Sequence, residues 1–370
     1  MAIKGKRRST ETAAPAEEAI AGEDLEEKLA KQGKSELVEI DYRSKKPLPD
    51  WVREAIESSL AIEAEDAKSA GALGFMARAM VQATMPYKDP KRDVYMRRNG
   101  DFKLRVVAGY EGGIPFGIYP RLLLSWLTTE AVKKQSAEIE LGASLAEFLR
   151  EVVDVRSRSG GSRGTATRVS EQMKRLFGSL LTATYEDTTP GAKNTRFRLR
   201  NVMIADELDF NPTAADSLWE PQASVEAGKW KSSVHLTQRF YEEITERPVP
   251  IDLRAYKALR GSALAMDLYN WLTYRNSYLR ETSRPIPWVR LMAQFGSSYG
   301  ALDLASDSFN EKRLSASERE ALFQARRNFR KSFVKAIKMV NVVYPQAKVD
   351  MSDEGVILIP SKTSIQGSLF

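Results

Sequence analysis

The stretch from Ser317 to Pro360, SEREALFQARRNFRKSFVKAIKMVNVVYPQAKVDMSDEGVILIP, decides the predicted fold. Ser317 and Glu320 match the Ser-x-x-Glu capping box, so this stretch predicts a helix that begins at Ser317. Four apolar residues then recur at helical spacing and predict a single buried stripe: Phe329, Phe333, Ile337 and Val340.

The residues after this helix predict a two-stranded hairpin. Tyr344-Pro345 ends the helix, and Ala347–Met351 and Val356–Pro360 have the composition of short strands. A Ser-Asp-Glu-Gly turn joins them. A helix followed by such a hairpin is how a winged-helix domain ends.

The other side of the same helix carries a row of cations. The row consists of Arg327, Lys331, Lys335 and Lys338, with Arg326 and Arg330 flanking it. No acidic residue occurs between Arg326 and Lys338. Surface helices usually mix both signs to form i, i+4 pairs, so the uninterrupted row favours a face that binds a phosphate backbone. The alternative is a solvated surface that keeps the domain soluble.

The composition of the chain limits its class but not its activity. Its 370 residues give room for two or three domains, and 42% hydrophobic and 28% charged residues are typical of a soluble globular protein. A net charge of +7 and a pI near 9.3 favour a polyanionic partner. No apolar run approaches the roughly 20 residues of a membrane span, and no signal peptide is evident. We therefore expect a cytoplasmic protein without a membrane partner.

The chain has no cysteine and a single histidine, His235. Disulfides, Cys/His zinc sites and cysteine nucleophiles are thereby excluded. Rolling-circle initiators and relaxases are enzymes that cut DNA with a tyrosine. They normally hold their metal through a His-x-His pair, which this chain lacks. His235 lies in a pattern that predicts a strand entering a helix, where a packed or surface histidine is the expected role. We expect a protein that is not an enzyme and has no metal or cofactor.

Composition and pattern predict five segments. Residues 1–45 predict a disordered tail, whose Lys4–Arg8 cluster either adds nonspecific DNA affinity or only aids solubility. Residues 46–110 are predicted to be a helical segment, in which the helical pattern runs from Pro49 to Met85 and Pro86 is the stop. Residues 111–225 and 226–360 are the two predicted folded domains, and 361–370 are a C-terminal tail. The buried candidates of the helical segment are Trp51, Ile56, Leu60, Phe75, Met76 and Met80.

The two predicted domains follow one plan. Trp126-Leu127-Thr128 lies in a predicted helix from Tyr119 to about Lys134, and Trp271-Leu272-Thr273 lies in one from Leu253 to about Leu279. Further elements follow each helix. They are a strand at Ile139–Leu141 and a helix capped by Ser144 with Glu147 in the first copy, and a helix from Pro287 to Gly296 in the second.

The first copy is also predicted to end in a basic helix and a hairpin. The helix spans about Thr167 to Ala183, with Val169, Met173, Leu176 and Leu180 inward and Arg168, Gln172 and Arg175 outward. The hairpin turns through 189–194, which includes Lys193. Its outgoing strand alternates Arg196, Arg198 and Arg200 with apolar residues, which favours a wing that contacts DNA. The alternative is an edge strand protected against aggregation.

Several weaker motifs have ordinary explanations beside their functional ones. Gly160–Gly164 fits Gly-x-Ser-x-Gly but lacks a preceding apolar strand; the same loop either places Arg163 on a DNA phosphate or is simply flexible. Gln32–Ser35 ends like a P-loop but lacks its first glycine, so no nucleotide site is expected. The carboxylates of Asp206, Glu207 and Asp209 suit magnesium, but solvated charge in a linker is the preferred interpretation.

Five stretches together resemble plasmid-encoded RepA-type replication initiators. They are IPFGIYPRLLLSWLTTEAV, IELGASLAEFLREV, TRVSEQMKRLF, PVPIDLRAYKALRGSALAMDLYNWLTYR and NFRKSFVKAIKMVNVVYPQAKV. The resemblance covers about Gly109 to Pro360 and implies an α+β, mostly helical fold with two tandem winged-helix domains. Which side chains touch bases does not follow from it.

The resemblance also implies a function. Such initiators bind iterons, the repeated sequences of a plasmid origin; as monomers they open the adjacent duplex and help to load the host helicase beside the host initiator, and as dimers they often repress their own gene or hold origins together. The predicted DNA-contacting elements are the helices 167–183 and 317–342 with their wings. A transcriptional regulator built from the same modules, a DNA-nicking initiator, and a first copy that serves dimerisation remain alternatives.

Overall fold

The computed structural model describes residues 55, 57–62, 65–141, 164–186, 197–209, 233–296, 304 and 309–365. These residues form a mixed architecture of helices and small antiparallel sheets. The helices are α1 Arg78–Gln82, α2 Tyr119–Lys134, α3 Thr165–Phe177, α4 Gln238–Glu246, α5 Leu253–Leu259, α6 Ala263–Tyr278, α7 Trp288–Phe295 and α8 Ala316–Val343, with a 3-10 turn at Glu311–Arg313. The strands are β1 Leu73–Met76, β2 Val94–Asn99, β3 Phe102–Ala108, β4 Glu138–Glu140, β5 Ser179–Glu186, β6 Phe197–Met203, β7 Ala205–Asp209, β8 Ser233–Leu236, β9 Val249–Asp252, β10 Ile286–Pro287, β11 Lys348–Met351 and β12 Gly355–Ile359.

The described strands pair into four sheets, with the orders β1-β9, β2-β3-β5-β6, β4-β8-β7 and β10-β12-β11. The first three sheets join segments on opposite sides of the predicted boundaries at 110/111 and 225/226. The division into domains stays a prediction, but strand pairing ties its parts together.

The two helices that share Trp-Leu-Thr both contact the β1-β9 sheet. In this sheet β1 and β9 pair antiparallel, with Leu73 opposite Asp252. On α2, Thr129 Oγ1 accepts a hydrogen bond from Phe75 N at 2.9 Å; on α6, the Tyr269 hydroxyl accepts one from Asp252 N at 2.9 Å. Both helices are buried over most of their length. Each helix is thus bound to one strand of the β1-β9 sheet.

A buried cation connects these two helices. Arg121 Nη2 of α2 lies 2.7 Å from Asp267 Oδ2 of α6, and Arg121 Nε lies 2.8 Å from Asp267 Oδ1. The same guanidinium donates to the carbonyl oxygens of Met85, Pro86 and Gly117. Burial disfavours its charged form, but the Asp267 carboxylate outweighs this and raises the pKa of Arg121. Arg121 therefore joins α2, α6 and the segment before β2 as a charged group.

The helical prediction for 46–110 is wrong in most of its described part. Residues 73–76 form β1, and 94–108 form the β2-β3 hairpin, which is extended by β5 and β6. Only α1 and the turns near residue 60 are helical. Phe75, Met76 and Met80 are buried as expected, whereas Leu60 is exposed. Trp51, Ile56 and the predicted tail 1–45 lie outside the described residues.

Two predicted helices are shorter than expected. The helix of the first copy ends at Phe177, not Ala183, because Gly178 follows and β5 begins at Ser179. A Cβ at Gly178 would lie 2.8 Å from Tyr110 Cβ and 2.9 Å from the Lys174 oxygen, so only glycine fits there. The predicted 253–279 helix is two, α5 and α6, because Ser262 caps a new helix by accepting from Ala265 N.

Other predicted elements are confirmed. The helix Tyr119–Lys134, the strand near 139, and the helix between Pro287 and Gly296 all occur. The predicted helix at Ser144 and the 189–194 turn lie outside the described part of the chain. Among the described helices, none combines the length and the apolarity needed to cross a membrane.

Candidate nucleic-acid interface

The longest described helix, α8, begins two residues before the predicted position. Ser315, not Ser317, is the N-cap: its hydroxyl accepts from Glu318 N, and the Glu318 carboxylate accepts from Ser315 N at 2.8 Å. Both Ser315-x-x-Glu318 and Ser317-x-x-Glu320 match the motif, so the sequence did not distinguish them. The hydrogen bond of the Ser315 side chain, followed by that of its backbone, lowers the pKa of Glu318.

The predicted apolar stripe of α8 is confirmed. Phe329, Phe333, Ile337 and Val340 are all at most 1% exposed. Trp288 of α7 meets Phe333 edge-on at 5.5 Å between ring centroids, and Phe295 meets Phe333 at 6.4 Å. These contacts orient α8 about its own axis and so determine which side chains face outward.

The cationic row lies on the opposite, exposed side of α8. Its members are Arg327, Lys331, Lys335 and Lys338, all of them exposed. Among the described residues, no acidic side chain forms a salt bridge with any of the four. Successive members are three or four residues apart and therefore neighbours on the helix surface. The structure thus brings these four predicted site residues together on one face.

The two flanking arginines lie nearer the buried stripe and have partners. Arg326 lies over the Phe323 ring, with its Cζ 5.9 Å from the ring centroid. Arg330 Nη1 donates to Asp353 Oδ1, and its Cζ lies 5.5 Å from the Trp288 ring centroid. Arg330 therefore lies between α8 and the hairpin that follows it.

That hairpin, β11-β12, forms as predicted, with Met351 opposite Val356. Two contacts fix it against α7 and β10. Trp288 Nε1 donates to the Ser352 oxygen at 3.0 Å. Gly355 lies so close to β10 that a Cβ would overlap the Ile286 carbonyl. The turn is thereby held beside α8.

The basic helix of the first copy differs from its prediction. Arg168 is exposed, but Gln172 is buried, and its Oε1 accepts from Phe116 N at 2.8 Å. The Arg175 side chain is only 13% exposed, with Nε 3.0 Å from Glu171 Oε1 and Nη1 3.4 Å from Asp89 Oδ2. The predicted outward placement of Gln172 and Arg175 is wrong, because both side chains hold the loop that precedes α2. Of this predicted trio, α3 presents only Arg168 to solvent.

The predicted arginine strand of the first copy is β6. Arg200 Nη1 lies 3.1 Å from Glu243 Oε2 on α4. Arg200 also lines a cavity of about 760 Å³ between the four-stranded sheet and α6. The side chain of Arg198, and all of Arg163, Lys193 and Arg196, lie outside the described residues. DNA contacts from this wing stay a prediction.

The weaker motifs give few candidates. His235 is an exposed residue of β8, the strand that enters α4 as predicted. Asp206, Glu207 and Asp209 belong to β7, so their assignment to a linker is wrong. Within the described ranges, no group of three or more His, Cys, Asp or Glu side chains is arranged to hold a metal ion. Gln32–Ser35 and most of Gly160–Gly164 lie outside those ranges.

Trp288 and Asp353 contribute to this interface but were not singled out from the sequence. Trp288 follows Pro287 at the predicted start of α7, and Asp353 lies in the predicted turn. The available signal was the acidic turn directly after a basic helix. It shows opposite charges close in sequence, but not that the chain folds them together.

One family model matches part of the chain. A model of the family described as plasmid-encoded RepA protein matches residues 114–288. The match ends at the start of α7, so the resemblance of α8 and its hairpin stays a prediction. No curated protein matches the chain.

Two solved structures show a distant likeness. A crystal structure of RctB domains 2 and 3 aligns with a TM-score of 0.39 and 12% identity, over 76% of this chain and 96% of that chain. A selenomethionine derivative of the same two domains aligns with a TM-score of 0.39 and 10% identity, over 77% and 99%. At this TM-score the likeness carries no argument. The family match is confined to residues 114–288, and that part of the chain is similar to plasmid-encoded RepA proteins.

Proposed function

We propose that this protein initiates plasmid replication by binding double-stranded DNA at the origin. The match of residues 114–288 to the plasmid-encoded RepA family supports the link to replication. The exposed row of Arg327, Lys331, Lys335 and Lys338 on α8 is the observation that carries DNA binding. Four neighbouring cations without acidic partners in the described chain provide the charge that releases counterions from DNA.

We propose further that each copy is a winged-helix domain. In the second copy, α6, β10, α7, α8, β11 and β12 follow one another, and the sheet order β10-β12-β11 supports this assignment. The first copy has α2, β4, α3, β5 and β6 in the same order. However, β4 pairs with β8 in another sheet, and the sheet of β5 and β6 is extended by β3 and β2. The assignment is therefore better supported for the second copy.

In this proposal α8 enters a major groove. Its 28 residues span about 42 Å, much longer than the groove is wide, so only part of its outer face meets bases while other cations reach phosphates. With α3 as a second reader, the two copies occupy grooves about one helical turn apart, on a site of about 20 base pairs. Direct repeats of that length are the iterons of the proposal.

The remaining steps rest on the family resemblance. Bound monomers open the adjacent duplex and recruit the host replicative helicase together with the host initiator. Dimers, in equilibrium with monomers, repress the initiator's own gene and limit plasmid copy number. Chemical probing of unpaired bases in a supercoiled plasmid, with and without host proteins, distinguishes this function from repression alone.

The decisive experiment is a footprint on the DNA that flanks the reading frame, followed by salt titration of binding. Arg327→Ala with Lys331→Ala should weaken binding by about 1–3 kcal/mol for a base contact, or reduce the salt slope by about one unit for each phosphate contact. Lys133→Ala with Lys134→Ala removes the same charge at the C-terminal end of α2 and is the control. Equal effects of the two double variants, with both proteins folded, would contradict the assignment of α8.

A further inference from the structure

The hairpin after α8 is acidic, unlike the helix face beside it. Its exposed charged residues are Lys348, Asp350, Asp353 and Glu354, so three carboxylates oppose one ammonium. A wing that bound only DNA phosphates would carry a net positive charge. The acidic turn is therefore not expected to bind DNA phosphates as proposed for the α8 face.

One of these carboxylates is directed to a single cation of α8. Asp353 Oδ1 accepts a hydrogen bond from Arg330 Nη1, while the Asp353 side chain is 94% exposed and that of Arg330 is 40% exposed. The pair is thus open to solvent and to any anion that approaches between α8 and the turn. A carboxylate and a phosphate present the same kind of acceptor oxygens to a guanidinium.

The pair is not needed to position either of its partners. The turn backbone is already fixed by the Trp288 Nε1 bond to Ser352 and by the close approach of Gly355 to β10. Arg330 lies on a helix whose core stripe is buried, and its guanidinium lies against the Trp288 ring. Exposed ion pairs contribute little to folding. The consequence of this pair therefore concerns what else Arg330 can bind.

We propose that Asp353 competes with DNA phosphate for Arg330 and so limits the affinity of the protein for DNA of any sequence. This inference rests on the proposed DNA binding by α8. With Asp353 present, a phosphate must displace the carboxylate that already accepts a hydrogen bond from Arg330 Nη1. The guanidinium of Arg330 is therefore occupied by a carboxylate. The cationic row of Arg327, Lys331, Lys335 and Lys338 remains available to phosphates.

The test uses full-length protein and a random-sequence duplex, with binding measured over a range of salt concentrations. Asp353→Asn frees Arg330, so binding should become tighter and the salt slope steeper by about 0.9, the value for one more phosphate contact. Glu354→Gln is the matched control, because it removes one negative charge at the next position, and no salt bridge from Glu354 occurs among the described residues. Its effect on the slope should be much smaller.

A second pair of variants tests the route through Arg330. In an Arg330→Gln background, Asp353→Asn should have no more effect than Glu354→Gln, since the cation that Asp353 occupies is gone. Equal effects of the two substitutions in the wild-type background would overturn the inference and show only a general change of charge. Wild-type protein that binds no duplex would instead overturn the proposed function, and this inference with it. Thermal unfolding of each variant checks that the fold is retained.

Discussion

Arg121 and Asp267 form a two-point salt bridge between the helices that carry the repeated Trp-Leu-Thr tripeptide, and both side chains are at most 5% exposed. A buried pair of this kind does not by itself argue for stability, because taking both charges out of water offsets their attraction. Removing one partner costs more than removing both, because it leaves an uncompensated buried charge where the two copies meet.

We expect Asp267→Asn to lower the free energy of unfolding by about 3–5 kcal/mol, since Arg121 stays charged and buried. Arg121→Met combined with Asp267→Leu should cost less than the sum of the two single changes, because the pair is then removed as a unit. Urea denaturation measures both. The control is Glu246→Gln, which breaks an exposed pair with Arg247 and should cost less than about 1 kcal/mol. An Asp267 variant as stable as this control would contradict the role of the pair.

The two candidate caps of α8 can be separated by mutation. Ser315→Ala removes the hydroxyl that accepts from Glu318 N and should destabilise the protein by about 1 kcal/mol. Ser317→Ala should cost less, because the Ser317 hydroxyl contacts only that of Ser315 among the described residues. Denaturant midpoints of the two variants provide the comparison. If Ser317→Ala were the more destabilising of the two, the helix would be capped by Ser317, as the sequence predicts.

The capping box also predicts a dependence on pH. Hydrogen bonds from Ser315 lower the pKa of Glu318 in the folded state below its ordinary value of 4.5. A depressed folded pKa gives a stabilising contribution that is present above 4.5 and is lost as the pH falls through the lower, folded value. The stability difference between wild type and Glu318→Gln should therefore shrink below that pH. Glu320→Gln, two residues further along and outside the capping box, is the control.

We also expect the purified protein neither to hydrolyse ATP nor to nick supercoiled DNA. The chain has no cysteine, and its single histidine is an exposed residue of β8. The P-loop-like Gln32–Ser35 lacks its first glycine. Turnover that copurifies with the protein and disappears on substitution of one of its residues would reveal a site that we have missed.

The sequence predicted those parts of the fold in which local signals agree. The helix α2, the stripe of α8 and the β11-β12 hairpin each combine periodicity with a clear stop. The β2-β3 hairpin also has such a signal, Asn99-Gly100 between alternating residues, and Gly100 adopts a φ of 60°. It was missed because the whole segment 46–110 was assigned as helical, although its helical pattern runs only from Pro49 to Met85.

Long-range pairing was beyond the sequence. Nothing local indicates that β1 pairs with β9, or that β8 lies between β4 and β7. The same limit applies to the candidate site. Helical spacing placed the row of α8 correctly, but it placed Gln172 and Arg175 outward although the loop before α2 covers them. Periodicity identifies the faces of a helix, and tertiary contacts decide which of them remains exposed.

The first copy therefore allows a prediction that separates contact with DNA from support of the fold. Arg168 is exposed on α3, whereas Arg175 is enclosed by Glu171, Asp89 and the Ile114 oxygen. If α3 lies on DNA, Arg168→Ala should reduce the salt slope by about one unit and leave thermal stability unchanged. Arg175→Ala should do the opposite, lowering the unfolding temperature while the slope of the remaining folded protein stays that of wild type. Footprints should show the effect of Arg168→Ala on only one half of the site, since each copy reaches its own stretch of backbone. If Arg168→Ala leaves both slope and footprint unchanged, the first copy does not read DNA through α3, and its role as a dimerisation module becomes the better hypothesis.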